Sequence, residues 1–263
     1  MPDPLLKWPG GKRRLLRHIQ PLLPAEFGTY YEPFAGSAAL FFRIGPAEGV
    51  LSDTNSELIN CYTQVRDNPD AVNNALSMLP STEHDYYRIR ALHPEDDVER
   101  AARFIYLTTL SFNGIYRTNQ EGHFNVPFGF RPHLHPKPAG VIQQTSAALA
   151  GTELRCMDFE AALEDAAAGD LVYLDPPYTV AHGHNGFLRY NARIFSWADQ
   201  HRLAALARTL SDRGCHVIVS NADHQSICDI YAGFRMVRIE RQSSIAASQV
   251  HRRRITECVF LSY

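Results

Sequence analysis

A chain of 263 residues, 45% hydrophobic and 21% charged, carries enough apolar material for one large soluble α/β domain, with or without an inserted lobe. No run of about eighteen apolar residues occurs and the first residues lack a signal-peptide core, so neither a membrane span nor export is expected. The net charge of −2 excludes a uniformly basic nucleic-acid binder, and five scattered cysteines without a Cys-x-x-Cys pair argue against a disulfide framework or a zinc site.

The charge is unevenly placed. Lys7, Lys12, Arg13, Arg14 and Arg17 make the first segment basic, and Arg235, Arg238, Arg241, Arg252, Arg253 and Arg254 do the same near the other end. Folded together, these would form one positive face.

Leu5 to Lys12 predicts a short extended piece with a glycine turn, followed by a helix over 12–20. Its start would place N–H groups and a lysine near one point, a favourable place for an anion. The spacing of a phosphate-binding P-loop is absent. A strand is expected over 29–34, a tight turn at Ala35-Gly36-Ser37, a helix over 38–44 and a strand over 50–53. That strand ends in Asp53, roughly twenty residues past the glycine turn, the layout of a nucleoside-binding half-sheet whose acid holds ribose hydroxyls. The glycine pattern is not that of a dinucleotide site.

A helix over 54–66 would be capped by Thr54. The pattern then changes until about Pro138. A helix over 98–110 has a clear apolar stripe. Residues 111–130 alternate aromatic and polar side chains around Asn-Gly and Glu-Gly turn signals, predicting an exposed hairpin or paired loops. Residues 131–138 are a proline-rich linker. Helix over 141–150, strand over 153–157, helix over 159–168 and strand over 171–174 follow. Residues 183–191 predict a mobile loop. Helix over 197–213 stops at Gly214. A strand over 216–220, a helix over 224–231 and strands over 234–241 and 255–262 complete the chain. Helices alternate with strands except in the last pair, which predicts a mostly parallel sheet with a C-terminal antiparallel hairpin.

The apolar strand Leu171-Val172-Tyr173-Leu174 runs into Asp175-Pro176-Pro177-Tyr178. Neither proline can continue the ladder, so a carboxylate and an aromatic ring sit at the strand's carboxyl end, where open α/β sheets bind ligands. An exocyclic base amine is a poor nucleophile because its lone pair is delocalised into the ring. Accepting both of its N–H hydrogens turns that lone pair outward. The Asp175 carboxylate and the Pro176 carbonyl can do this, and Asp175 favours the positive charge that grows on nitrogen. Tyr178 can stack on a base lifted out of its helix.

Together with Leu6-Lys7-Trp8-Pro9-Gly10-Gly11-Lys12, Glu32-Pro33-Phe34-Ala35-Gly36-Ser37, Asp53-Thr54-Asn55, Asn113-Gly114-Ile115-Tyr116-Arg117 and Phe124-Asn125-Val126-Pro127-Phe128-Gly129, this tetrapeptide resembles the Dam-type (D12 class) S-adenosylmethionine-dependent DNA adenine-N6 methyltransferases. The resemblance covers almost the whole chain. It implies a Rossmann-like class I methyltransferase sheet, with residues 1–60 and 139–263 catalytic and 61–138 an inserted, mainly helical target-recognition domain.

It also implies roles. Trp8 and Lys12 would contact S-adenosyl-L-methionine near its methionine end, Phe34 and Gly36 would line the donor pocket, and Asp53 would hold the ribose. Asp158 and Phe159 would lie near the donor adenine, and Asp175 between donor and target. Asp175, Pro176, Pro177 and Tyr178 would be catalytic, with Phe187 and Tyr190 joining Tyr178 in the target-base pocket. Lys7, Asn113 and Arg117 would read double-stranded DNA, and an arginine suits guanine O6 and N7 through its bidentate fork. No metal is implied. The expected target is GATC or GATC-like. Three departures stand out: Phe130 where GATC readers carry arginine, Ser111-Phe112 in place of a tyrosine-rich lead-in, and Pro9 in place of alanine. The same chemistry on cytosine N4 or an RNA adenine, or a catalytically silent DNA-binding regulator, are the alternative readings. A cytoplasmic, nucleoid-associated monomer is expected, and a cognate restriction enzyme is one setting for it.

Overall fold

A computed structural model describes residues 3–13, 15–130, 140–179, 195–242 and 254–263. Its seven strands are β1 (Tyr30–Glu32), β2 (Gly49–Asp53), β3 (Thr152–Cys156), β4 (Leu171–Leu174), β5 (His216–Ala222), β6 (Arg235–Gln242) and β7 (Arg254–Leu261). They form one sheet in the order β3-β2-β1-β4-β5-β7-β6. β4 pairs in parallel with β1, Tyr31 opposite Val172, and with β5, Leu174 opposite Val219. β7 runs antiparallel to both neighbours, with Glu257 opposite Ala222 on β5 and Ile239 on β6. This is the expected Rossmann-like methyltransferase sheet with its antiparallel end. The strand order reverses between β1 and β4, the switch point at which such sheets bind ligands.

By contacts the chain divides into two compact units. The first comprises residues 1–11, 35–47 and 51–157. Its helices start where side chains take up otherwise unpartnered amides. Asn55 accepts from Glu57 and Leu58, Thr82 from Asp85, and Asp96 from Glu99. The helix Asp97–Leu110 buries almost every residue from Ala101 onward, which is the stripe seen in the sequence. Polar groups within the unit find specific partners. Tyr106 donates to the Pro80 carbonyl, Tyr86 and Arg90 donate to that of Val126, and Arg103 donates to those of Ile89 and Arg90.

The second unit comprises residues 12–34, 48–50 and 158–263. Its apolar core gathers Tyr31, Val172, Leu174, Leu203, Val217 and Phe260, among others. The helix Trp197–Asp212 opens with a reciprocal capping box between Ser196 and Asp199 and lays Gln200, Leu203, Ala204, Ala207 and Leu210 on its buried side. Among the described residues no helix is long and apolar enough to cross a membrane.

Several expectations need correction. The first α-helix is only Leu16–Ile19: Pro21 turns its continuation into a 3-10 turn, and Lys12 precedes the helix instead of opening it. Asn55, not Thr54, caps the helix Ser56–Asp67. The segment 159–168 holds only a 3-10 turn at Ala161–Leu163. There Asp170 takes the amides of both Ala167 and Thr29, which draws the backbone out of the helical pattern. Of the two readings of 111–130, the paired loops hold: they meet through two isolated antiparallel bridges, Ser111 with Phe128 and Thr118 with Phe124. The linker over 131–138 and the loop over 183–191, like Arg14, Arg252 and Arg253, lie outside the described residues.

Candidate active site

β4 is buried along its whole length, and its ladder ends where the two prolines begin. Four side chains of the second unit meet at this exit. Lys12 Nζ lies 3.1 Å from Asp175 Oδ1 and 3.3 Å from Glu257 Oε2. It also donates to the Tyr178 hydroxyl at 2.5 Å, and that hydroxyl donates to Glu257 Oε2 at 2.7 Å. Lys12 is 6% exposed and Glu257 0%.

Burial of this depth works against the lysine charge, but Asp175, Tyr178 and Glu257 outweigh it and hold the Lys12 pKa above its ordinary value. Burial pushes the Tyr178 phenol up, with Lys12 opposing, so the hydroxyl keeps its proton and can donate. Two carboxyl groups therefore share one ammonium. A buried group of this composition is not a cheap source of stability, since apolar side chains of the same volume often serve a fold better.

The sequence reading placed Lys12 with the donor and counted it in the basic first segment. The structure buries it against Asp175, so it adds nothing to a solvated positive face. Three polar residues were missed. Glu257 is one; its signal was a lone acid on the β7 face that also carries Val259 and Leu261. Gln200 donates to the Pro177 carbonyl at 3.4 Å, and Asn221 at the end of β5 donates to Gln200 Oε1 at 3.1 Å. Both amides are fully buried, and Gln200 is the one polar member of an apolar stripe. They brace the double-proline turn from behind.

Elsewhere in the second unit, Phe34, Phe159 and Phe195 form an aromatic trio with ring centroids 5.5–5.9 Å apart. The Arg202 guanidinium lies 4.8 Å over the Phe159 ring and pairs with Asp158, Glu160 and Asp199. Asp158 and Phe159 thus share one arginine. Phe195 and Arg202 had no local signal in the sequence.

The first unit gathers a second set. Gly36 has φ +45°, and a Cβ built on it would lie 2.7 Å from Trp8 Cδ1, so only glycine lets the indole approach this closely. The Gly36 amide donates to Asp53 Oδ2 at 3.2 Å and the Asn55 amide to Oδ1 at 3.0 Å. Burial raises the Asp53 pKa, and these backbone amides oppose it. Trp8 stacks on Tyr116 at 5.1 Å and leans on Phe104. Lys7 lies against Gly114, where an added Cβ would fall 2.6 Å from Lys7 Cδ. Asn113 is exposed with φ +55°, and Phe112 beside it is 51% exposed. Arg117 is exposed and donates to Asn125 Oδ1 at 2.7 Å. Phe187 and Tyr190 lie outside the described residues.

Comparison with known proteins shows the family. Residues 8–245 match the family described as D12 class N6 adenine-specific DNA methyltransferase. The chain is 36% identical to the type II methyltransferase M1.LlaDCHI of Lactococcus lactis subsp. cremoris, over 99% of this chain and 95% of that protein. It is 34% identical to the DNA N-6-adenine-methyltransferase of Escherichia phage P1, over 92% of this chain but only 33% of that longer protein. It is 29% identical to the DNA adenine methylase of Haemophilus influenzae, over 97% of this chain and 92% of that protein.

Proposed function

This chain belongs to the D12 class of N6 adenine-specific DNA methyltransferases, and from that premise we propose which of its residues carry the reaction and how. The enzyme methylates adenine N6 in DNA at the expense of S-adenosylmethionine. The cytosine, RNA and silent-regulator readings give way to this one.

The observation that carries the assignment is the buried meeting of Lys12, Asp175, Tyr178 and Glu257 at the end of β4. Asp175 accepts one N–H of the target amine and the Pro176 carbonyl the other, so the nitrogen lone pair faces the donor. Gln200 and Asn221 keep the double-proline turn, and hence these two acceptors, in place. Tyr178 stacks on the flipped adenine, and Phe187 and Tyr190 complete that pocket. Flipping costs a few kcal/mol, which stacking on aromatic rings offsets.

S-adenosylmethionine supplies an electrophilic methyl on a sulfonium centre. The residues present fit such a group. A carboxylate pair neutralised by only one lysine suits a cation, and Asp53, with its raised pKa, suits a hydroxyl pair that hydrogen-bonds it. Asp53 takes the ribose, Gly36 and Trp8 the methionine side together with Lys12, and Phe34, Asp158 and Phe159 the adenine end.

Residues 61–138 act as the target-recognition domain. Lys7 and Arg117 read guanines, and Asn113 fills the space the flipped base leaves. The target is GATC or GATC-like. The enzyme works as a monomer in the cytoplasm, and the type II names among its relatives favour a partner restriction enzyme.

Two measurements test the reading. Asp175→Ala abolishes methylation while DNA binding persists; turnover by that variant would remove Asp175 from the mechanism. Single-molecule mapping of treated DNA gives base and motif together, and a modified base other than N6-methyladenine would refute the substrate. Arg117→Ala relaxes choice at one base by about 1–3 kcal/mol, and an unchanged map would remove that role.

A further inference from the structure

Glu257 lies 245 residues from Lys12 in the chain and 79 from Tyr178, yet its carboxylate is bound by both. The strand register explains its direction. Glu257 pairs with Ala222 on β5, and side chains alternate along β7, so Cys258 and Phe260 point into the apolar core while Glu257 points to the opposite face. Its neighbours on that face, Val259 and Leu261, are fully buried. A carboxylate there is costly unless it is bound on several sides, and it is. Tyr178 donates one hydrogen bond, and Lys12 stands 3.3 Å away.

Two consequences follow for the tetrapeptide. First, the Tyr178 hydroxyl both accepts, from Lys12, and donates, to Glu257. A phenol held on both sides has its ring plane fixed. Second, Lys12 sits between two carboxylates at nearly equal distances, 3.1 and 3.3 Å. Without Glu257 its whole charge would fall on Asp175, which would then be a weaker acceptor for an incoming amine.

We propose that Glu257 is a positioning residue for methyl transfer, which fixes the plane of the Tyr178 ring and divides the Lys12 ammonium so that Asp175 keeps acceptor capacity for the target amine. The proposal rests on the reading of Asp175 and Tyr178 given above. Glu257 touches neither substrate; it acts through these two side chains.

The test uses the full chain with Glu257→Gln, Glu257→Leu, Tyr178→Phe and Asp175→Ala. Readouts are kcat, KM for duplex DNA, the pH profile of kcat, and the fluorescence of 2-aminopurine placed at the target position. Glu257→Leu lowers kcat by about tenfold or more, the equivalent of about 1.4 kcal/mol in the barrier, with KM for DNA little changed and the 2-aminopurine signal altered. Glu257→Gln keeps an acceptor for Tyr178 but no charge for Lys12. Removing one negative charge from beside Asp175 lowers its pKa, so the acid limb of the profile moves to lower pH while the plateau falls. Adding Glu257→Gln to Tyr178→Phe costs less than the two single effects combined.

A folded Glu257→Leu variant with wild-type kcat overturns the proposal. Should that variant fail to fold, Glu257→Gln decides, and a wild-type rate and pH profile there overturn it. Asp175→Ala separates the two levels of argument: if it still methylates, the assignment of Asp175 fails, whereas an inactive Asp175→Ala beside a fully active Glu257→Gln defeats only the role given to Glu257.

Discussion

Lys12 Nζ and Asp175 Oδ1 are 3.1 Å apart in a buried site that a second carboxylate, Glu257, shares. Removing the cation leaves two like charges facing each other without the ammonium that both share. Lys12→Met is therefore expected to cost about 3–5 kcal/mol of stability at neutral pH. The loss has a direction in pH. Without the ammonium, at least one carboxyl acquires a folded-state pKa above its unfolded value, and such a group stabilises below its unfolded pKa and ceases to as pH rises through the folded one. Denaturant unfolding between pH 7 and 4 should show the deficit shrinking as the medium turns acid.

In the intact protein the same logic governs the alkaline side. The pKa values of Lys12, Tyr30, Tyr173 and Tyr178 are all raised on folding. Their contributions are fully present below the unfolded values of 10.0 for the tyrosines and 10.5 for the lysine and are lost as pH climbs through the folded ones. These four groups should therefore add no pH dependence below about pH 10, and chemical denaturation should show a steep fall in stability above it.

Gly36→Ala tests the close approach of Trp8. The new Cβ would lie 2.7 Å from Trp8 Cδ1, and φ is +45°. A left-handed alanine alone costs roughly 1–2 kcal/mol, and the indole must also move off Tyr116. The expected result is a changed tryptophan emission and at least about tenfold weaker donor binding by calorimetry. Unchanged emission and affinity would separate Trp8 from the donor site.

How much of this was legible differs from residue to residue. β4 carries the bounds expected from sequence because an apolar run stopped by two prolines has one reading. The helix over 97–110 and the C-terminal strand pair were equally plain, since each repeats a pattern of one period. Glu257 was not found, because β7 inserts between β5 and β6, and no local pattern says which strand a late β-element will join. Lys12 looked like a surface cation because its neighbours in sequence are basic, whereas its burial is decided by Asp175 and Glu257 far along the chain. The helix expected over 159–168 failed because a tertiary bond, Asp170 to the Thr29 amide, outweighs the helix propensity of alanines.

Asp53→Asn separates binding from folding. Both carboxylate oxygens accept backbone amides, from Gly36 and Asn55, yet burial raises the pKa above 3.8. The folded protein thus works against this charge, and losing it should change stability by no more than about 1 kcal/mol. Donor affinity should fall at least about tenfold. In the intact enzyme, affinity should decline as pH drops through the raised Asp53 value, and the Asn variant should show no such limb. A wild-type binding curve with Asn at this position would remove Asp53 from the donor site.

Gly114→Ala makes a sharper demand on target choice. Gly114 has φ +66°, and an added Cβ would meet Lys7 at both Cδ (2.6 Å) and Cβ (2.9 Å). A terminal ammonium can swing aside, but a Cβ is fixed to its backbone, so the segment bearing Lys7 must shift. The β4 cluster should be unaffected, and any change at the adjoining Trp8 is read separately as donor affinity by calorimetry. What changes is the reading of one flanking base, by about 1–3 kcal/mol of discrimination, with the same positional signature as Lys7→Ala. Single-molecule mapping of DNA methylated by both variants gives the comparison directly. Relaxation at the same flanking position in both maps ties Lys7 to that base. Relaxation at different positions, or a Gly114→Ala enzyme with an unaltered motif, would mean that Lys7 binds the DNA without reading it.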